Sequence, residues 1–305
     1  MEKLYFNCGV DCEPLADRSP ACGGPSSWAV SQKAILTFVE IFEEYRLLAG
    51  LGFHATPEAA KAHPDLLTDL RQSRGIEIGM QPNVPGFRFP AYTLDLGQYD
   101  APMQRRIITE AIEDFQDALG FRPEIYTPCC GSKSRATYPL LVELGFTVAK
   151  APGAGRYLTD RPDRCTVGQY PYPHWASDHH LIPGCLPLYV IPNTADITGM
   201  RRDQRTRDLR PEYPPTHETL HSYRRIVDTN LEVMRLIDTP VKVIKMGSHN
   251  TERPHFDNLR YVLDYVQERA ELEGMELVPI SCLGMRQVAE EMGGPGDYGR
   301  GGAPA

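Results

Sequence analysis

No CxxC pair, long basic run, membrane-length apolar segment or internal repeat occurs in the chain. Each absence excludes a class. Without paired cysteines a zinc-ribbon reading fails. The eight cysteines, scattered at 8, 12, 22, 129, 130, 165, 185 and 282, read mostly as small buried residues. With no basic run and a net charge of -8, nucleic acid is not an expected partner. Without an apolar run of about 20 residues, no membrane span or membrane partner is predicted. No signal-peptide pattern precedes the first strand, so the expectation is a cytoplasmic protein with reduced thiols. No GxGxxG follows that strand, which leaves a doubly wound sheet as a weaker alternative.

What is present suits one folded core. The 305 residues are 41% hydrophobic and 24% charged, ordinary proportions for a globular chain of this size. Apolar alternation predicts strands at 4–10, 48–53, 76–80, 124–127, 146–149, 186–191, 241–246 and 277–280. Helical spacing predicts helices between them, at about 31–47, 58–74, 103–119, 134–144, 216–237, 256–272 and 283–292. Segments 84–102 and 151–185 read as irregular, and the charged stretch 201–212 reads as a mobile loop. Strand–helix alternation predicts an α/β fold, a distorted barrel of about seven or eight parallel strands over residues 1–292. A Gly/Pro-rich disordered tail is expected over 293–305.

Polar residues collect where these strands stop: Asp11, Cys12 and Glu13; Gln81 and Asn83; Cys129 and Cys130; Asn193 and Thr194; His249 and Asn250. In a parallel barrel those ends share one mouth. A carboxylate, amides and an imidazole in one cleft can activate water, polarise a carbonyl and protonate a leaving amine. Each also has a plainer reading. Asp11 and Glu13 before Pro14 can organise a turn, Gln81 and Asn83 can stabilise a loop, and His249 can neighbour a helix cap. His174, His179 and His180 do not form a familiar zinc spacing. Cys129-Cys130 reads as a reduced buried pair rather than a redox or nucleophilic centre.

Taken in order, several segments resemble the polysaccharide deacetylases of the nodulation-factor type. They are Val10-Asp11-Cys12-Glu13, Ile76-Glu77-Ile78-Gly79, Tyr126-Thr127-Pro128-Cys129-Cys130-Gly131, the run from Pro183-Gly184 to Pro192, and Met246-Gly247-Ser248-His249. The resemblance spans roughly residues 4–290. It implies a distorted (β/α) barrel and hydrolytic removal of an acyl group from nitrogen. It further implies Asp11 as general base and His249 as general acid. Two departures stand out: Gln81 and Asn83 occupy the place of the family's two metal-binding histidines, and Thr127 stands where an arginine is usual. Neutral amides are poor zinc ligands, so the family's divalent metal is not expected here.

The expectation is therefore a hydrolase of a carbon–nitrogen amide bond in a small N-acyl, sugar-like substrate. Asp11 and His249 are its catalytic pair. Glu13, Gln81, Asn83, Cys130, Asn193 and Asn250 contact substrate, with Gln81 or Asn83 orienting the carbonyl; no residue is assigned to metal. A non-catalytic deacetylase-like protein, binding a sugar-like ligand or a protein partner, is the alternative. A remodelled metal site from Asp11, Glu13 and His249 with Cys12 is a third reading. Self-association is left open.

Overall fold

The computed structural model describes residues 1–17, 23–84, 86–88, 91–200 and 208–297. Its first strand, β1 (Glu2–Cys12), shows how the sequence builds the barrel. Successive side chains of a strand point to opposite faces. Leu4, Phe6, Cys8, Val10 and Cys12 all take one face and are fully buried in the apolar core. There they join Ile35, Phe38 and Phe42 of helix α1 (Trp28–Glu44). The other face carries Asn7, Gly9 and Asp11 and looks inward.

The elements then follow in order: β2 (Leu51–Ala55), α2 (Pro57–Ala62), α3 (Pro64–Arg74), β3 (Glu77–Met80), α4 (Ala101–Leu119) and β4 (Ile125–Tyr126). After these come α5 (Thr137–Glu143), β5 (Val148–Ala151), β6 (His174–Ala176), β7 (Leu186–Pro192), α6 (His217–Leu236), β8 (Val243–His249), α7 (Phe256–Leu272), β9 (Met275–Pro279) and α8 (Cys282–Glu291). The helix expected over 58–74 is two. Pro64 lacks an amide donor and starts a new helix, so the chain breaks at His63. Ser27, one of two expected caps, accepts from Val30 N at 3.3 Å and starts α1.

The sheet runs β6-β7-β5-β4-β3-β2-β1-β8, with β9 also paired to β1. All pairings are parallel except β6 with β7. The architecture is the predicted distorted barrel; β6 is an added antiparallel edge inside the stretch expected to be irregular. Closure is local. At the end of β7, Thr194 N donates to Lys245 O of β8 at 3.0 Å, and Lys245 N donates to Thr194 Oγ1 at 2.8 Å. Leu209 joins the seam by bonds to Thr194 O and from Gly247 N.

Glu77, in the family-like Glu-Ile-Gly, acts at the opposite end. Its carboxylate accepts from Cys282 N and Leu283 N at 2.8 and 2.7 Å, satisfying the first turn of α8. Residues 201–207 of the expected mobile loop lie outside the described residues, while 208–212 are seated in the structure. Gly294–Asp297 form one more helical turn, α9; the remainder of the expected tail, 298–305, lies outside the described residues. Among the described residues no helix is long and apolar enough to cross a membrane.

Candidate active site

Because the strands run parallel, their C-terminal ends meet at one mouth, around a cavity of about 520 Å³. Its floor is set by a charged residue inside an apolar strand. Lys150 of β5, 3% exposed, donates to Asp11 Oδ1 at 2.7 Å and to His54 Nδ1 at 2.9 Å. Glycine makes this possible. A Cβ on Gly9 would lie 2.6 Å from Lys150 Nζ and 2.8 Å from the His54 ring. Burial alone would raise the Asp11 pKa, but the Lys150 ammonium and His54 outweigh it and hold the carboxyl well below the usual range. Burial and then the Lys150 charge push His54 down to about 3, so the imidazole is neutral and accepts from Lys150.

The rim is built differently. Glu13, 2% exposed, follows the end of β1. Its carboxylate accepts from Gln81 Nε2 at 3.0 Å and from Asn83 Nδ2, and its backbone N donates to Asn250 Oδ1 at 2.8 Å. None of these partners carries a charge. Burial therefore raises the Glu13 pKa to about 7, the His249 charge opposing and the Asp11 charge reinforcing. His249 Nε2 stands 4.0 Å from Glu13 Oε1. Its Nδ1 lies 3.1 Å from Glu212 Oε1, which also accepts from Ser248 Oγ at 2.8 Å. Burial would lower the His249 pKa, but the Glu212 bond and charge raise it above its ordinary value.

Asp11, Glu13, Gln81, Cys130, Asn193 and His249 all line the cavity. Asn83 and Asn250 do not. Both are fully buried and fix Glu13, so neither is placed to touch substrate. Asn83 adopts a positive φ of 41°, which asparagine tolerates better than most residues. The amide nitrogens of Gln81 and Asn83 are engaged with Glu13 and do not face a carbonyl, which corrects the expected orienting role. Among the described residues, Gln81 Oε1 is buried without a hydrogen-bond partner. Asn193 presents to the cavity with its Oδ1 already held by Lys245 Nζ at 2.8 Å. Asp11, expected as the general base, is held ionised by Lys150 instead.

The donor set does not fit a zinc ion. Amide N–H groups, not imidazoles, meet the Glu13 carboxylate, and a cation there would face their positive ends. Cys12 belongs to the apolar core and Asp11 is tied to Lys150, so the remodelled site fails on geometry. Among the described residues, no group of three or more His, Cys, Asp or Glu can hold a metal.

Sequence reasoning missed Lys150, His54, Arg156, Asp208, Arg210 and Glu212. Lys150 had a signal, a lone charge within Val148-Ala149-Lys150-Ala151. The last three lie in a stretch whose charge density reads as solvated.

No family model and no curated protein matches the chain. Solved structures do match, at the level of fold. A probable polysaccharide deacetylase from Pseudomonas aeruginosa PAO1 aligns at 14% identity with a TM-score of 0.58, covering 95% of this chain and 92% of that one. Puue allantoinase aligns at 13% identity and a TM-score of 0.58, over 95% and 91% of the two chains. A GH57 branching enzyme from Thermococcus kodakaraensis aligns at 11% identity and a TM-score of 0.50, over 91% and 70%. The chain has a divergent polysaccharide-deacetylase-like fold. Proteins of different activities share that fold, so the chemistry must be argued from the site.

Proposed function

We propose that the protein is a hydrolase of a carbon–nitrogen amide bond in a small N-acyl, sugar-like molecule, acting in the cytoplasm. The observation that carries this reading is the pairing of Glu13 with His249 across 4.0 Å at the rim of one cavity. Their environments favour opposite roles. Glu13, raised to about 7, is a usable base near neutrality, whereas His249, raised by Glu212, holds a proton to give.

In the proposed cycle Glu13 takes a proton from water as its oxygen bonds to the carbonyl carbon. Charge building on the carbonyl oxygen is met by the field of Lys150 at the cavity floor. The carbon–nitrogen bond then breaks as His249 gives its proton to nitrogen, leaving a carboxylic acid and an amine. Glu13 returns its proton and His249 is recharged through solvent. Gln81 Oε1, a buried acceptor without a partner, suits a substrate N–H and favours an amide over an ester. This assignment moves the base from Asp11 to Glu13.

Non-catalytic binding is the second reading, favoured by one observation: the Asp11 carboxylate is neutralised by Lys150. Amine release from a panel of N-acyl sugars and N-acyl amino acids separates the two. Turnover abolished in Glu13→Gln supports the hydrolase. Binding without turnover in the parent protein leaves the binder.

A further inference from the structure

Five cations line the cavity: Lys150, Arg156, Arg164, Arg210 and Arg253. Three have acidic partners. Lys150 meets Asp11 at 2.7 Å, Arg164 Nη2 meets Asp95 Oδ1 at 2.7 Å, and Arg210 Nε lies 3.5 Å from Asp208 Oδ2. Arg253 is exposed at the rim. Arg156 is the exception: it is only 7% exposed and makes no direct ion pair among the described residues, and Asp208, which attracts it from further off, is already engaged by Arg210. Its side chain has one hydrogen bond, from Nη1 to the Cys130 carbonyl at 2.7 Å. Its backbone is pinned by reciprocal bonds with Thr166, at 2.8 and 2.9 Å.

A buried guanidinium without a direct ion pair is costly to the fold. Its rigid fork is matched to carboxylate and phosphate oxygens. Arg156 follows β5, which lies four strands from β1 in the sheet order, and lines the same cavity as Glu13. Arg164 and Arg210 line the same cavity, each held by an acidic partner.

We infer that Arg156 is the anchor of an anion subsite, and that the substrate carries a carboxylate or phosphate remote from the amide being cut. The substrate half of this inference rests on the hydrolase reading; the anion site itself does not. Bound there, the anion pairs directly with Arg156 and holds the acyl–nitrogen bond against Glu13 and His249.

The test is binding measured by calorimetry, with thermal melting in parallel, on the intact protein. The probes are neutral N-acetylglucosamine, its phosphate monoester, and N-acetylglutamate as a carboxylate. The expected result is that one or both anionic probes bind about tenfold or more tighter than the neutral one and raise the melting temperature. The stronger of the two identifies phosphate or carboxylate as the group. Arg156→Met should abolish the preference. Arg156→Gln, which keeps an N–H for the Cys130 carbonyl and removes the charge, should abolish it too. Equal binding of neutral and anionic probes, or a preference that survives in Arg156→Gln, would overturn the subsite. Glu13→Gln separates the two proposals. Its turnover should be lost while the anion preference persists; in the parent protein, absent turnover with the preference intact counts against hydrolysis alone.

Discussion

Asp11 and Glu13 lie two residues apart at the end of one strand and open on one cavity, yet their chemistry has diverged. Asp11 meets an ammonium at 2.7 Å and becomes a fixed anion, ionised at any working pH and too weak a base to pull a proton from water. Glu13 meets two neutral amides and is destabilised in its charged form, which brings its pKa to about 7. Both carboxylates are buried, Glu13 2% exposed and the Asp11 side chain 15%, so burial raises each and the partners decide the outcome. Partner charge therefore decides which carboxylate can act as a base. The floor is an ion pair, and in the proposed hydrolase the rim carries the proton transfer.

Removing the floor's cation should have the largest effect on the fold. Lys150→Met leaves Asp11 buried beside a neutral His54, and denaturant melts should show a loss of about 3–5 kcal/mol. Adding Asp11→Asn to that variant should restore part of the loss, since the stranded charge is gone. A Lys150→Met protein as stable as the parent would break the contrast from the floor side.

At the rim the expected order reverses. Glu13→Gln should lower turnover by about a hundredfold or more, without a comparable cost in stability. Its effect on stability should depend on pH. The folded pKa of Glu13 is raised from 4.5 to about 7, so the folded protein binds the extra proton between these values. Stability from this group falls as pH rises through that window, and Glu13→Gln removes the fall. Above pH 7 the variant should thus be more stable than the parent, by on the order of 1–3 kcal/mol, with the difference vanishing in acid.

The pH–rate profile sharpens the rim account. Activity should rise as Glu13 deprotonates near pH 7 and fall as His249 loses its proton at higher pH. Glu212→Gln, the smallest change, should keep the acid limb and draw the alkaline limb to lower pH, because the Glu212 charge helps hold the His249 proton. An alkaline limb unmoved in that variant would remove His249 from the cycle.

The barrel was legible because its outward strand faces are apolar and its helices are capped by residues such as Ser27, Thr216 and Gly120. The rim residues were legible because they stand where apolar alternation stops. The floor was hidden by the same rule. Periodicity ended β2 at Phe53 and β5 at Ala149, one residue short of His54 and Lys150. Inside a barrel a polar side chain continues the strand when another polar group across the interior meets it. Sequence spacing does not show that Lys150 and Asp11, 139 residues apart, are neighbours. Arg210 and Glu212 fall in a stretch that reads as a mobile loop for a related reason, since nothing local tells a charged loop from one folded over a mouth.

Site-resolved carboxyl titration by carbon-detected NMR tests the contrast most directly. The Glu13 side-chain carboxyl should titrate near pH 7, while that of Asp11 stays ionised down to the lowest pH at which the protein remains folded. A Glu13 that titrates in the usual carboxylate range, with Asp11 raised into the neutral range instead, would contradict the account and return the base to Asp11.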